Sequence, residues 1–172
     1  TETYAALRLD IDNWRWTCVP FFIRTGKHLP VTQTEVRLVF KAAPRLGFGL
    51  IGDRVPSPSH IIIKLDPSTG LRFEIEARRA GTNAPEQVAL DMEFADQGGE
   101  GPTPYEVLLD AAMKGRNLRF TRQDGVDETW RVMQPLLDAP PPVHPYAIGS
   151  WGPAAADALL AGHQPWQEPW ID

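Results

Sequence analysis

The sequence has one cysteine, no excess of positive charge and no long hydrophobic run, and each lack excludes a class of protein. Cys18 cannot form an internal disulfide, and no cysteine and histidine cluster has zinc-binding spacing. Seventeen Lys and Arg against 22 Asp and Glu give a net charge of −5, which opposes nucleic acid binding. Apolar runs such as residues 61–63 are far shorter than the roughly 20 residues that span a bilayer. We therefore expect a protein of the reducing cytoplasm that binds neither nucleic acid nor membrane.

Sequence motifs for common catalytic and nucleotide sites are also missing. Neither GxGxxG nor GxxxxGK[ST] occurs, and Gly47-Phe48-Gly49 lies in an irregular stretch without a predicted helix behind it. No GxSxG elbow and no HExxH motif is present. From the residues alone we predict no catalytic residue, no cofactor-binding residue and no metal site.

What the sequence does contain suits one packed α+β domain over residues 1–172, with 42% hydrophobic and 23% charged residues. Apolar and polar residues alternate in the first half, as in β-strands, and a turn from Asp66 to Gly70 predicts a hairpin. Short connections favour antiparallel pairing, so we predict one large, mainly antiparallel sheet. Later the apolar spacing becomes helical. The predicted strands cover residues 4–11, 19–23, 36–40, 61–65, 71–75 and 88–94, and the predicted helices follow Pro104, Asp124 as a possible N-cap, and Pro153.

Two groups of titratable residues are compatible with a catalytic or metal-binding role and also with ordinary surface positions. The four histidines have no carboxylate or metal partner at recognisable spacing, which favours surface or loop positions. Glu74 and Glu76 share one strand face and suit general acid and base chemistry, but their alternation with Phe73 and Ile75 favours a solvated sheet face.

The segment from Phe21 to Pro30 presents a different pattern. A strongly apolar strand runs into a glycine turn that carries Arg24, Lys27 and His28. These side chains offer hydrogen-bond donors and positive charge to an anion. Basic loop residues are common, so an anion site and ordinary surface charge both stay open from the residues alone.

Several motifs in one order resemble the C-terminal domain of bacterial glucose-6-phosphate dehydrogenase, and the resemblance covers residues 1 to about 160. They are Thr1-Glu2-Thr3-Tyr4, Val19-Pro20-Phe21-Phe22-Ile23-Arg24-Thr25-Gly26-Lys27, Pro104-Tyr105-Glu106, Phe120-Thr121-Arg122, Trp130-Arg131 and Tyr146-Ala147-Ile148-Gly149-Ser150-Trp151-Gly152-Pro153. The resemblance implies an α+β domain with a large antiparallel sheet and helices on one face. It also implies a part in oxidising glucose 6-phosphate to 6-phosphogluconolactone with NADP, in the oxidative pentose phosphate pathway of carbohydrate metabolism.

The family's division of labour implies what this chain does and does not contribute. In the family, NADP and the catalytic histidine belong to an N-terminal domain whose motifs are absent here. We therefore read the chain as a fragment or domain of that oxidoreductase that is not catalytic alone. The family's C-terminal domain supplies part of the glucose 6-phosphate pocket and the sheet through which a homodimer forms.

Individual positions carry over from the family motifs. The motif lysine that contacts the sugar phosphate corresponds to Lys27, and a second basic residue of the family corresponds to Thr32, which has a hydroxyl but no charge. A family glutamine falls at Asp66, which is read more simply as a turn residue. Trp151 stands where animal relatives have an arginine that binds a structural NADP, so we predict no structural NADP site.

Two other classes of function stay open at this stage. The departures at Thr32 and Asp66 are compatible with a non-catalytic assembly or regulatory protein that reuses the sheet for protein contacts. A stand-alone sugar phosphate binder is the other alternative.

Overall fold

The order of elements is strands first and helices afterwards, which confirms the α+β class. The computed structural model describes residues 2–42, 57–78, 81, 85–98 and 101–171. Much of the irregular stretch between the third and fourth strands, including Gly47-Phe48-Gly49, lies outside the described residues. The strands are β1 Tyr4–Asp10, β2 Pro20–Gly26, β3 Thr34–Val39, β4 His60–Asp66, β5 Gly70–Arg78 and β6 Pro85–Glu93; the helices are α1 Ala95–Gly98, α2 Pro104–Met113 and α3 Gln123–Asp138, with 3₁₀ segments at Asn117–Arg119 and Ala154–Leu160.

Every strand pair in the described residues is antiparallel, as predicted, but the strands form two sheets instead of one. β1 pairs with β2, while β3, β4, β5 and β6 form a four-stranded sheet in that order. The connection from β2 to β3 contains Pro30, which has no N–H to continue a ladder. The predicted hairpin is the β4–β5 pair, and Asp66 ends β4 at its turn.

The chain divides into two compact units, each assembled from two separate segments. The first unit comprises Thr1–Leu29 and Glu100–Gly162, and so contains β1, β2, α2, α3 and both 3₁₀ segments. The second unit comprises Pro30–Gly99 and His163–Asp172, and so contains the four-stranded sheet and α1.

The helices of the first unit begin and end where backbone chemistry favours it. Thr103 and Glu106 form a reciprocal capping box at the start of α2, and their hydrogen bonds lower the pKa of the Glu106 carboxyl. After α2, Gly115 has a φ of +64°, the left-handed conformation that glycine adopts without strain. The N-cap of α3 is Arg122, so the interpretation of Asp124 as N-cap was wrong: Asp124 lies in the first turn and pairs with the Arg122 guanidinium.

The C-terminal segment packs on the polar face of the four-stranded sheet. Trp170, only 5% exposed, lies with its ring centroid 4.8 Å from Lys64 Nζ and 4.3 Å from Arg72 Cζ. The backbone N–H of Trp170 donates to the Glu35 carboxylate, and the backbone carbonyl of Trp170 accepts a hydrogen bond from the Gln33 side-chain amide. The indole face and the Glu93 carboxylate, 3.6 Å from Lys64 Nζ, together offset the cost of burying this ammonium group, which is 2% exposed.

The opposite, apolar face of this sheet is exposed, which reverses the predicted burial. Leu90 is 57% exposed and Phe73 is 39% exposed. Glu74, expected on a solvated face, lies on the covered face, and its carboxylate is 3.1 Å from the Nδ1 atom of His60. The alternation of residue types located both faces correctly, but the C-terminal segment decides which of them is covered.

Candidate functional site

The predicted substrate residue Lys27 lies directly after β2, with its backbone held on both sides. The register of β1 and β2 ends with Tyr4 opposite Gly26, and the Lys27 N–H then donates to the Thr3 carbonyl at 2.8 Å. The Lys27 carbonyl accepts a hydrogen bond from the Tyr146 hydroxyl, also at 2.8 Å. The side chain is exposed, and among the described residues its ammonium makes no ion pair or hydrogen bond. The fixed backbone thus presents an ammonium group that has no partner among the described residues.

The residue after Lys27 is fixed by the same loop that supplies Tyr146. His28 has a φ of +53°, a left-handed conformation unusual for a residue other than glycine. Its carbonyl accepts a hydrogen bond of 2.9 Å from the Gly149 N–H. The turn therefore keeps a sparsely populated backbone geometry because the loop of residues 146–149 holds it from outside.

Two glycines flank the ring of Tyr4 because no larger residue fits. A Cβ atom on Gly26 would lie 2.8 Å from Tyr4 Cδ2. A Cβ atom on Gly152 would lie 2.8 Å from the Tyr4 hydroxyl oxygen and closer still to two ring carbons. The Tyr4 and Tyr146 ring centroids are 5.3 Å apart in a tilted arrangement. Three separate sequence motifs thus meet at one aromatic ring.

The hydroxyl of Tyr4 is buried and has no hydrogen-bond partner among the described residues. Burial raises the pKa of this phenol above its usual value, and the positive charge of Arg24 partly opposes the increase. Tyr4 therefore stays neutral at physiological pH and acts as a packing residue.

Arg24 contacts the loop that contains Gly149 and Gly152. Its guanidinium carbon lies 4.7 Å from the centroid of the Trp151 ring, within the range of a cation–π contact. Trp151 belongs to the same loop as Gly152 and Gly149. Arg24 thus adds a further link between β2 and that loop.

The other residues singled out from the sequence are distributed over both units. Thr32 is exposed and lies between β2 and β3, in the second unit, whereas Lys27 belongs to the first unit. Of the four histidines, His28, His144 and His163 are exposed as expected, but His60 is 8% exposed, so its surface interpretation was wrong.

The His60 pairing was detectable in the sequence. Residues 60 and 74 are equally far from Pro67, in the turn of the predicted hairpin, and the β4–β5 register places them opposite each other. Tyr146 gave no such local signal, because it follows Lys27 by 119 residues.

Within the described ranges, no three His, Cys, Asp or Glu side chains are grouped so that they could hold a metal ion. Among those same residues, no helix is both long and apolar enough to cross a membrane.

Fold and site together define an α+β domain of antiparallel sheets that presents a backbone-anchored lysine, a side chain suited to an anionic ligand. The family model for the glucose-6-phosphate dehydrogenase C-terminal domain matches residues 1–170, and the chain belongs to this family. This membership confirms the resemblance carried by the sequence motifs.

Individual relatives agree with the family. The chain is 47% identical, over 171 residues, to glucose-6-phosphate 1-dehydrogenase 1 of Mycobacterium tuberculosis (strain CDC 1551 / Oshkosh), covering 99% of this chain and 36% of the relative. The crystal structure of glucose-6-phosphate 1-dehydrogenase from Mycobacterium avium superposes with a TM-score of 0.86 at 44% identity, covering 100% of this chain and 36% of that one. A glucose-6-phosphate dehydrogenase in complex with its substrate glucose 6-phosphate gives 0.76 at 26% identity, with coverages of 98% and 35%. The chain thus spans about a third of the length of the relatives it matches.

The packing around Tyr4 predicts unequal costs for alanine at two glycines of one loop. Both have positive φ, +106° at Gly152 and +78° at Gly149, so each Gly→Ala change adds about 1–2 kcal/mol of backbone strain. Only at Gly152 does the new methyl group also collide with Tyr4, which adds about 1–3 kcal/mol. Urea denaturation should show Gly152→Ala losing more stability than the matched control Gly149→Ala. Equal losses would contradict this packing.

Proposed function

We propose that this chain is the substrate-binding and subunit-association domain, over residues 1–172, of a glucose-6-phosphate dehydrogenase. The whole protein would oxidise glucose 6-phosphate to 6-phosphogluconolactone with NADP. Family membership supports this proposal, and the matched family model runs through both units as one domain. The single observation that carries it is the exposed Lys27, whose backbone N–H and carbonyl are both engaged.

Lys27 would bind the phosphate group of the substrate. A sugar phosphate carries close to two negative charges at neutral pH, and an ammonium group donates hydrogen bonds to its oxygens while offsetting that charge. Because the Lys27 backbone is already held, binding has to order only the side chain, which lowers the entropic cost. Lys27 is therefore a substrate-binding residue and not a catalytic one.

The chemical step would belong to the rest of the protein. NADP would supply the hydride acceptor for C1 of the sugar, and we assign its binding, and the base that would take the C1 hydroxyl proton, to parts of the protein outside this chain. The proposed contribution of residues 1–172 is to hold the phosphate end of the substrate, so that C1 is presented in one orientation.

Removal of the Lys27 charge should weaken substrate use by the full-length protein. Hydrogen bonds to charged groups contribute about 1.5–3 kcal/mol, so Lys27→Ala should lower kcat/KM for glucose 6-phosphate by about 10- to 100-fold, mainly through KM. The assay follows NADPH absorbance. The matched control is Lys114→Ala, because Lys114 is also an exposed lysine but pairs with Asp110 at the end of α2. An unchanged KM in Lys27→Ala would refute the assignment.

Thr32 would be the second contact to the substrate, through its hydroxyl. It is exposed and follows Pro30, just before β3. A hydroxyl donates one hydrogen bond without adding charge, so its contribution to phosphate binding would be smaller than that of a cation.

A cation at position 32 should therefore strengthen phosphate binding. We expect Thr32→Lys to lower KM for glucose 6-phosphate by about tenfold in the same assay, since the new contact would be charge-assisted. Thr34→Lys is the matched control, because it adds the same charge at a different exposed position, the first residue of β3. If both variants lower KM equally, the effect is general attraction and Thr32 is not a contact residue.

The exposed apolar face of the four-stranded sheet would form the interface of a homodimer. Exposed apolar surface of this extent is unfavourable in a monomer. The strand register aligns its side chains in rows that cross all four strands: Val36, Ile63, Leu71 and Met92 in one row, and Leu38, Ile61, Phe73 and Leu90 in the next.

A second copy is the occupant that suits this face. Each chain carries a net charge of −5, but the ion pairs of this sheet lie on its covered face. The two apolar rows carry no charged residue, so two copies can meet over these rows around a two-fold axis without bringing those ion pairs together.

A charge on the apolar face should dissociate the dimer. Leu90→Lys would bury two unpaired ammonium groups per dimer, and we expect the dissociation constant to rise about 100-fold or more. Sedimentation equilibrium of the full-length protein measures it. Val143→Lys, at an exposed apolar position of the first unit, is the control and should leave association unchanged. A Leu90→Lys protein that still associates like the wild type would exclude this interface.

A further inference from the structure

The Tyr146 hydroxyl joins two stretches of chain that are far apart in sequence. It lies 2.8 Å from the Lys27 carbonyl oxygen, and 3.1 Å from both the carbonyl oxygen and the hydroxyl oxygen of Thr3. A phenol has one proton to donate, and the shortest of these distances is to Lys27. The Thr3 hydroxyl can donate to Tyr146 in return, so the Tyr146 oxygen both donates and accepts.

These contacts close a ring of hydrogen bonds around the backbone of Lys27. The Lys27 N–H donates to the Thr3 carbonyl, the Thr3 hydroxyl reaches Tyr146, and Tyr146 returns to the Lys27 carbonyl. Within the described part of the chain, Tyr146 is the side chain that contacts this carbonyl. Beyond β2, where the regular ladder ends, the Tyr146 hydroxyl thus takes over the task of fixing the chain.

The position of the Tyr146 ring is itself constrained. The ring packs against Tyr4 at a centroid distance of 5.3 Å, and Tyr4 is wedged between Gly26 and Gly152. An aromatic side chain has only two rotatable bonds, so it loses little entropy when it is held in this way. The hydroxyl is therefore presented to Lys27 by a rigid support.

From this arrangement we propose that Tyr146 is the positioning residue for Lys27, and that it sets the place from which the lysine ammonium reaches the substrate phosphate. The inference rests on the proposed phosphate-binding function of Lys27. Tyr146 touches neither substrate nor reacting atoms in this role, because its hydroxyl is directed at backbone and at Thr3. It acts on affinity through the turn, and misplacement by a fraction of an ångström weakens a charge-assisted contact.

Tyr146→Phe separates positioning from general stability in the full-length dehydrogenase. It removes the hydroxyl and keeps the ring packed on Tyr4. We expect KM for glucose 6-phosphate to rise about three- to tenfold, the range of one lost neutral hydrogen bond, with kcat within twofold of wild type. The matched control is Tyr4→Phe, which removes a neighbouring hydroxyl that has no hydrogen-bond partner among the described residues. It should change KM by less than twofold.

A double-mutant cycle with Lys27→Ala shows whether Tyr146 acts through the lysine. In the Lys27→Ala background, Tyr146→Phe should raise KM no further, because the group it positions is gone. An equal rise in both backgrounds, or a fall in kcat as large as the rise in KM, would overturn the positioning role.

The two proposals fail in different ways in this cycle. If Lys27→Ala leaves KM unchanged, the phosphate-binding function of Lys27 is wrong, and the positioning role is overturned with it. If Lys27→Ala raises KM while Tyr146→Phe does not, the phosphate site stands and only the positioning role is overturned.

Discussion

The first unit depends on one steric constraint, the ring of Tyr4 between two glycines. Neither Gly26 nor Gly152 leaves room for a Cβ atom, so the end of β2 and the loop near residue 152 can approach only because both positions lack one. Once they approach, the Tyr146 ring packs against Tyr4 in a tilted arrangement and its hydroxyl reaches the Lys27 carbonyl. The position of the candidate substrate cation therefore follows from packing around an aromatic ring that would never touch the substrate.

Local patterns in the sequence predicted the elements well, because periodicity and turn chemistry are local properties. The hairpin at Asp66, the helix from Pro104 and the antiparallel pairing were all correct. The covered face of the four-stranded sheet was not predicted. Its polar residues are buried because Trp170 packs on Lys64 and Arg72, and that tryptophan is about a hundred residues away in sequence. No window of alternating residues contains this information.

The residues of the candidate site also differ in whether nearby sequence could predict them or only contacts between distant parts of the chain. Lys27 could be singled out as a candidate because it belongs to a motif of contiguous residues, and Gly26 was assigned to its turn for the same reason. The structure gives Gly26 a second reason, the space for Tyr4, and gives the loop after residue 146 a role that no local pattern indicated. The His60–Glu74 pair was missed although the hairpin register implied it, because spacing along the chain was considered without pairing across strands.

In the four-stranded sheet the polar face is covered and the apolar face is exposed, and this determines which surface is open for the proposed dimer. A sheet that covers its charged face with its own C-terminal segment pairs Lys64 and Arg72 internally, so those two cations are not available to a partner. In the proposed dimer, the two apolar rows of the exposed face would contribute in proportion to the area that they bury, without ion pairs that salt screens. The proposed phosphate contact depends instead on the exposed charge of Lys27 in the first unit. In these proposals, subunit association depends on apolar area, whereas phosphate binding depends mainly on the charge of Lys27 and more weakly on the uncharged hydroxyl of Thr32 in the second unit.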